Sequence, residues 1–155
     1  MSKSNKIDPK MQEIVTRLFI LQNKLQTVGN QLQDNVTMKQ YMLISLLQAT
    51  NEPNNLSILA QKMGSSRQNV KKVAQSLAKK EYIRFKSGKQ NAIFIELTEK
   101  ALACEKRTRE IERLTLETLF QSFETAELSQ LLTFFEKLSQ GVAQVENKVK
   151  KGINK

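Results

Sequence analysis

Both ends of the chain carry apolar residues in a heptad pattern, which constrains the fold more than any other feature. Successive apolar residues lie alternately three and four positions apart, the spacing of a helical seam that packs against another helix. We expect a homodimer of terminal helices, at about 10–33 and 100–150. The alternative is that both seams pack inside one monomer, although a modest middle region would then have to cover them. The seams are Met11, Ile14, Leu18, Leu21, Leu25, Val28 and Leu32, and Leu128, Leu131, Phe135, Leu138, Val142, Val145 and Val149.

The composition narrows the class of protein. A chain of 155 residues fits one domain, expected at 1–155. With no histidine and one cysteine, the chain lacks the ligands of a Cys/His zinc site and the base of His-dependent catalysis, so we expect no enzyme, no metal and no cofactor. A single cysteine also allows no internal disulfide. No apolar run is long enough to cross a membrane, and the first ten residues are polar, so an intracellular protein without a membrane partner is expected.

The middle of the chain predicts a helix-turn-helix. Thr37 with Gln40 forms a capping box before a short apolar helix, and Pro53 breaks the chain after it. A third helix stops at Gly64, and Ser65 with Gln68 is a second possible capping box that opens a fourth helix. The apolar residues of the third and fourth helices repeat at i, i+3, i+4 and i+7: Leu56, Leu59, Ala60 and Met63, then Val70, Val73, Ala74 and Leu77.

A period of two follows the fourth helix and predicts a hairpin, with its loop at Ser87–Asn91. Thr98 and Glu99 are expected to start a long fifth helix that contains Cys104, and Thr125 to start the last helix. The predicted fold is mainly α with a small β-hairpin wing: a winged helix-turn-helix at about 37–98, flanked by N- and C-terminal dimerisation helices. The alternating apolar residues are Ile83 and Phe85, then Ile93, Ile95 and Leu97.

The positive charge is concentrated in this region. The chain has 25 Lys and Arg against 15 Asp and Glu, and the stretch from Lys62 to Lys89 holds nine of those cations and only one anion, Glu81. A charge of +8 in one stretch indicates a polyanionic partner, because a charge that serves only solubility would be spread along the chain. The nine cations are Lys62, Arg67, Lys71, Lys72, Lys79, Lys80, Arg84, Lys86 and Lys89.

The fourth helix carries the residues expected to read DNA. A recognition helix presents its N-terminal residues to base edges, and Arg, Lys, Gln and Asn are the side chains that pair with guanine and adenine. Two lysines near the hairpin tip are expected to reach phosphates. The alternative for each residue is an ordinary solvated surface position. The predicted DNA-binding residues are Ser65, Ser66, Arg67, Gln68, Asn69, Lys71, Lys72, Lys86 and Lys89.

The sequence at this point resembles the multiple antibiotic resistance regulator (MarR) family of bacterial transcription factors. The resemblance is carried by Asn55–Ile83, especially Met63 to Val70 and Leu77 to Ile83, and continues into Ile95 to Lys100. It implies a homodimeric cytoplasmic regulator, typically a repressor, that binds a pseudo-palindromic operator in double-stranded DNA. The fourth helix would enter the major groove and the wing would lie at the minor groove.

Two departures from the family are visible. The family commonly has Asp and Arg near the wing tip, where this chain has Lys89 and Asn91, so the acid-ordered wing arginine is missing. The family also tends to have Gly where this chain has Glu81 and Ala101, which affects turn geometry more than chemistry.

The resemblance also implies a possible small-molecule effector, since family members often respond to aromatic acids, phenols or cysteine oxidation. The candidate effector residues are Phe19, Tyr41 and Met42, in a crevice between the dimer helices and the winged domain, with plain core positions as the alternative. Cys104 is outside the N-terminal helix where peroxide-sensing members carry their cysteine, and a buried apolar thiol is expected there. The rival to a DNA-binding regulator is a winged-helix interaction module for an acidic protein.

Overall fold

A computed structural model describes residues 6–32 and 35–152, so the predicted end of the first helix at residue 33 and both chain ends lie outside the described residues. The contacts divide the chain into two compact units, one ending at Thr108 and one beginning at Arg109. The elements are α1 (Pro9–Leu32), α2 (Met38–Gln48), β1 (Asn54–Asn55), α3 (Leu56–Lys62), α4 (Arg67–Lys79), β2 (Ile83–Ser87), β3 (Ile93–Leu97), α5 (Glu99–Ala103), α6 (Glu105–Leu119) and α7 (Thr125–Lys150). The mainly α fold with a small wing is confirmed.

The helix-turn-helix has the core predicted from its apolar spacing. The α4 stripe turns inward: Val70, Ala74 and Leu77 are buried and Val73 is half-buried. They pack in one cluster with Leu43 of α2 and Leu59 of α3. Burying such aliphatic side chains contributes about 1.5–3 kcal/mol each to folding. This core fixes which side of α4 remains exposed.

The predicted capping box of α2 is confirmed and also connects α2 to the end of α4. The Thr37 hydroxyl accepts from the Gln40 amide at 3.2 Å, and Gln40 Oε1 accepts from the Thr37 amide at 3.0 Å. Gln40 Nε2 donates to Ser76 Oγ at 2.8 Å, and Lys80 Nζ donates to Gln40 Oε1 at 2.9 Å. Gln40 is only 5% exposed, and these three side-chain bonds satisfy a polar group that would be costly to bury alone.

The start of α4 differs from the prediction by one residue. Its N-cap is Ser66, whose hydroxyl accepts from the Asn69 amide at 3.2 Å, so the predicted capping box of Ser65 with Gln68 is wrong. The reason lies in the end of α3. Gly64 adopts φ +59°, and the Ser65 amide donates to Ala60 O at 3.0 Å, which closes α3 with a Schellman-type turn and uses Ser65 in it.

The predicted hairpin is confirmed, and it is part of a larger sheet. Its loop is one residue later than predicted, at 88–92, because Ser87 is still paired with Ile93. Strands β2 and β3 pair antiparallel from Ile83 opposite Leu97 to Ser87 opposite Ile93. The two-residue strand β1 adds to the other edge of β3, giving the order β1-β3-β2. Strand β1 is not predicted from the sequence because Asn54–Asn55 has no apolar alternation and low strand propensity.

The predicted long fifth helix is wrong, because the segment is divided into α5 and α6 at Cys104. Cys104 is the C-cap of α5: its amide donates to Lys100 O and Leu102 O, and α6 begins at the next residue, Glu105. The expected burial of Cys104 is also wrong, because its thiol is free and exposed. Ala101, Glu105 and Thr108 form the more buried side of this segment, and Cys104 lies to one side of it.

The last helix starts at Thr125 as predicted, and both heptad seams are largely open in the single chain. Among the α1 seam residues only Leu18 is half-buried, and among the α7 seam residues only Leu128 and Leu131 are. The remaining side chains are between 40% and 63% exposed, from Leu32 to Met11. Two long helices therefore each present a continuous apolar stripe.

Candidate nucleic-acid interface

Helix α4 presents a polar, cationic face to solvent. At about 100° per residue, Gln68, Lys72, Gln75 and Lys79 lie opposite the buried Val70–Ala74–Leu77 stripe, and all four are exposed. Arg67 and Lys71 flank this face and are exposed as well. The predicted recognition residues of α4 thus occupy one end and one side of a single helix.

The cations of this face have no partner in the part of the chain that the structure describes. Within residues 6–32 and 35–152, the side chains of Arg67, Lys71 and Lys72 have no ion-pair or hydrogen-bond partner. Their charged ends are therefore available to phosphates or guanine edges without breaking an existing interaction. The amides of Gln68 and Asn69 are exposed beside them.

The turn before α4 adds two hydroxyls to this end of the helix. Ser66 accepts the Asn69 amide through its hydroxyl oxygen and keeps its own hydrogen available for donation, while Ser65 is exposed in the turn that closes α3. The first turn of a helix also carries partial positive charge from its unpaired amides, which favours a phosphate at this end. Ser65, Ser66, Arg67, Gln68 and Asn69 are thereby brought together.

One cation of the basic stretch has a structural role instead. Lys80 Nζ donates to Asn35 O at 2.7 Å as well as to Gln40 Oε1, so it holds the segment before α2 against the end of α4. Lys80 contributes to the +8 charge but is not among the predicted DNA-binding residues. The count of charges along the sequence therefore overstates the charge that is free on the surface.

The wing cations are engaged by an acid from the facing strand. Glu96 of β3 lies between Arg84 and Lys86 of β2: Arg84 Nε is 3.1 Å from Glu96 Oε2, and Lys86 Nζ is 2.9 Å from Glu96 Oε1. Hydrogen bonds from Lys86 and then Arg84 lower the pKa of the Glu96 carboxyl below its ordinary value. Lys86, a predicted DNA-binding residue, is thus an ion-pair partner. Lys89 at the tip has no partner among the described residues.

Sequence reasoning missed Glu96 because it lies beyond the end of the basic stretch. The available signal was the strand register: an antiparallel hairpin that places Ile83 opposite Leu97 places Arg84 opposite Glu96. A count of charges along the sequence does not include this pairing, whereas a count across the two paired strands does.

The wing tip is shaped by a close contact. Gly88 is extended, at φ −110°, so it is not needed for a left-handed conformation. A Cβ at this position would instead overlap the Phe94 ring, with Cδ2 at only 2.9 Å. The left-handed positions are the next ones, Gln90 and Asn91, with φ +56° and +59°. The ring packing and the turn together define where Lys89 projects.

The candidate effector residues are exposed or half-buried in the single chain. Phe19 is 68% exposed, Met42 is 40% exposed and Tyr41 is half-buried. A cleft of about 450 Å³ does exist in this unit, but it lies between the 50–54 segment and the wing. Its lining includes Leu47, Asn54, Lys86, Phe94 and Glu96 and none of the three predicted residues.

Metal-binding clusters and membrane-spanning helices are both absent from the described part of the chain. It contains no group of three or more Cys, Asp or Glu side chains placed to hold a metal ion. None of its helices combines the length and the apolar character that crossing a membrane requires.

Comparison with known proteins identifies the fold. No protein-family model matches the sequence, and no curated protein matches it significantly. Solved structures do. A MarR/EmrR family transcriptional regulator from Acinetobacter sp. ADP1 has a TM-score of 0.78 at 22% identity, over 89% of this chain and 99% of that one. A MarR protein from Peptoclostridium difficile has a TM-score of 0.71 at 20% identity, over 96% and 97%.

A third similar structure is the PcaV transcriptional regulator from Streptomyces coelicolor, in complex with its natural ligand. It has a TM-score of 0.73 at 14% identity, over 92% of this chain and 99% of that one. The chain therefore has the winged-helix fold of MarR family regulators along most of its length, as the sequence resemblance implied. At these identities the similarity concerns the fold.

Proposed function

We propose that the chain is a MarR-type transcriptional regulator, a homodimer that binds a pseudo-palindromic operator in double-stranded DNA and acts as a repressor. The observation that carries this proposal is the α4 face: Arg67, Lys71 and Lys72 are unpaired among the described residues, with Gln68 and Asn69 exposed beside them. A surface with free cations and amides on one helix matches what major-groove reading requires. The fold shared with MarR family regulators supports the same function.

Base reading is assigned to the start of α4 and backbone contact to its flanks and the wing. Arg67, Gln68 and Asn69 would approach base edges, while Ser65, Ser66, Lys71 and Lys72 would contact phosphates on either side. Lys89, and Lys86 once released from Glu96, would reach the backbone or minor groove beside the recognition helix. Contacts to phosphate position the protein, and contacts to base edges select the sequence.

Dimerisation is assigned to the terminal helices. The seams of α1 and α7 expose apolar residues every three or four positions, and a second copy of the chain would cover them. A two-fold dimer also duplicates the basic face, so a palindromic operator follows from the symmetry of the protein.

An effector and a bacterial cytoplasmic location complete the proposal. The structurally similar PcaV regulator was solved in complex with its natural ligand, which supports testing small molecules here. Phe19, Tyr41 and Met42 remain the proposed contacts, at the N-terminal part of the first unit. Phe19 and Met42 are exposed in the single chain and so accessible to a ligand or to a second copy, and Tyr41 is half-buried. We assign no catalytic role to any residue.

The test is equilibrium binding of the purified protein to the DNA upstream of its own gene and to a shuffled duplex of equal composition. The proposal predicts a nanomolar dissociation constant for a site in the upstream DNA, about a thousandfold tighter than for the shuffled duplex, and a steep loss of affinity with salt. Light scattering should give a dimer. An acidic protein partner with no DNA affinity, or a monomer, would contradict it.

A further inference from the structure

The outward face of the wing carries two cations and one acid in direct contact. Arg84 and Glu96 face each other across β2 and β3, and Lys86 lies two residues further along β2 on the same face. Glu96 accepts from both, at 3.1 Å from Arg84 Nε and 2.9 Å from Lys86 Nζ. The three groups together carry a charge of +1 instead of the +2 of the cations alone.

The arrangement contributes little to holding the hairpin together. Exposed ion pairs stabilise proteins by about 0–1 kcal/mol, and glutamate is depleted in strands. The hairpin is fixed instead by its core side, where Ile83 and Ile95 are buried, and by Phe94 against Gly88 at the tip. A residue such as threonine at position 96 would suit an exposed strand better than a charged one.

The same carboxylate opposes a polyanionic partner. For Arg84 or Lys86 to contact a phosphate, its bond to Glu96 must break or be shared, and the carboxylate then stays within a few ångströms of the phosphate. The cations of α4 have no such competitor among the described residues. Acid and phosphate repel each other, and exposure to solvent weakens this repulsion without removing it.

We propose that Glu96 is a built-in counter-charge that lowers the affinity of the wing for the DNA backbone, an inference that rests on the proposed function. Because phosphate contacts are the same for every sequence, Glu96 reduces binding to all duplexes alike. The protein thereby spends less time on non-sequence-specific DNA, and α4 carries a larger share of the total binding free energy.

The test replaces Glu96 by glutamine, which keeps the shape of the side chain and removes its charge. Binding of wild type and Glu96→Gln to the upstream duplex and to the shuffled duplex is measured by fluorescence anisotropy over a range of salt concentrations. We expect about fivefold tighter binding of the variant to both duplexes, with the salt slope steeper by about one per wing. Adding Arg84→Gln to Glu96→Gln should remove part of this gain.

The matched control is Glu110→Gln, which makes the same change in net charge in the second unit, outside the residues proposed to contact DNA. Glu110 is also an exposed carboxylate paired with an arginine, and Arg113 keeps its second partner, Glu117, when Glu110 is changed. The control should leave affinity within about twofold of wild type, because a single exposed charge that contacts no phosphate contributes only a weak attraction, which salt screens.

If wild type binds DNA, three results would overturn the inference while the proposed function survives. Glu96→Gln could bind with the same affinity as wild type, or with lower affinity, or with a gain in affinity no greater than that of Glu110→Gln. Weaker binding would mean that Glu96 orders the wing cations for DNA. If wild type binds neither duplex, the proposed function fails, and the inference fails with it. Circular dichroism checks folding, and if Glu96→Gln does not fold, Glu96→Thr removes the same charge with a strand-favouring residue and the same outcomes apply.

Discussion

Arg67, Lys71 and Lys72 on α4 have no partners within the described residues, whereas Arg84 and Lys86 on the wing share the carboxylate of Glu96. Both regions belong to one basic stretch of the sequence, and a charge count along the chain treats them as equivalent. The structure separates them: α4 offers free cations with amides beside them, and the wing offers cations that are already half neutralised. We infer that α4 dominates recognition and that the wing adds a smaller, sequence-independent contribution.

The largest expected effect comes from removing two free charges of α4. The double variant Lys71→Gln, Lys72→Gln should weaken binding to the upstream duplex about 30-fold or more at moderate salt and reduce the salt slope by about two per protomer, since each phosphate contact contributes about one. Fluorescence anisotropy measures both values. The matched control Lys148→Gln, Lys150→Gln removes two charges from the end of α7. A similar loss in this control would show that only net charge matters.

The next effect concerns choice of sequence. Gln68→Ala removes an amide capable of pairing with adenine and should cost about 1–3 kcal/mol on the preferred site, while binding to the shuffled duplex stays unchanged. Competition with a set of single-base variants of the operator would show relaxed preference at one position per half-site. Uniform weakening across the set would assign Gln68 to backbone contact instead.

Wing variants should have smaller and uniform effects. Lys89→Ala removes an unpaired cation at the tip and is expected to weaken binding to all duplexes about threefold, lowering the salt slope by about one. Lys86→Ala should cost less than Lys89→Ala, because Lys86 must first give up part of its bond to Glu96. Parallel DNA titrations of the two variants show which loses more affinity. A larger loss for Lys86→Ala would contradict the claim that Glu96 partly neutralises the wing cations.

The effect of Glu96 on DNA affinity should not depend on pH near neutrality. The hydrogen bonds from Lys86 and Arg84 hold the pKa of the Glu96 carboxyl below its ordinary value. The carboxyl is therefore charged at every pH above its unfolded pKa, and it loses its charge only when the pH falls through the lower pKa of the folded state. The affinity ratio between Glu96→Gln and wild type should therefore stay constant from about pH 6 to 8. A ratio that falls toward one at pH 6 would mean that Glu96 is not held in its charged form.

The smallest expected effect is on stability and concerns Glu81, in the turn that connects α4 to the wing. Glu81 joins α4 to β2 with φ +62°, a conformation that disfavours a residue with a Cβ. Glu81→Gly should raise the free energy of unfolding by about 0.5–1 kcal/mol through relief of this strain, offset in part by the greater freedom of the unfolded chain. Chemical denaturation measures the change. A loss of stability would show that the exposed Lys100–Glu81 ion pair, at 3.7 Å, contributes more than the strain costs.

The sequence predicted the features that depend on neighbours along the chain. The apolar stripe of α4, the capping of α2 by Thr37 and the pairing of β2 with β3 all follow from local periodicity and side-chain chemistry. Features that depend on contacts across the fold were missed. Glu96 meets Arg84 only through strand register, and Lys80 turns to Gln40 only because α2 and α4 pack together.

The errors at element ends have a similar origin. Ser65 and Ser66 are both good N-cap residues, and the choice of Ser66 is made by the turn that closes α3. The break at Cys104 lies in a segment whose residue types all favour or tolerate a helix, so residue type does not mark it. The sequence alone therefore could not predict which serine caps α4 or that the fifth helix divides at Cys104.

The most direct test of the central claim compares the affinity losses of the two regions on one duplex. Wild type, the α4 variant Lys71→Gln, Lys72→Gln and the wing variant Arg84→Gln, Lys86→Gln are titrated against the upstream DNA at about 0.15 M salt, and each variant lacks two positive charges of the wild type. We predict a loss about tenfold greater for the α4 variant, because its cations act without a competing acid. Equal losses, or a greater loss for the wing variant, would contradict the account.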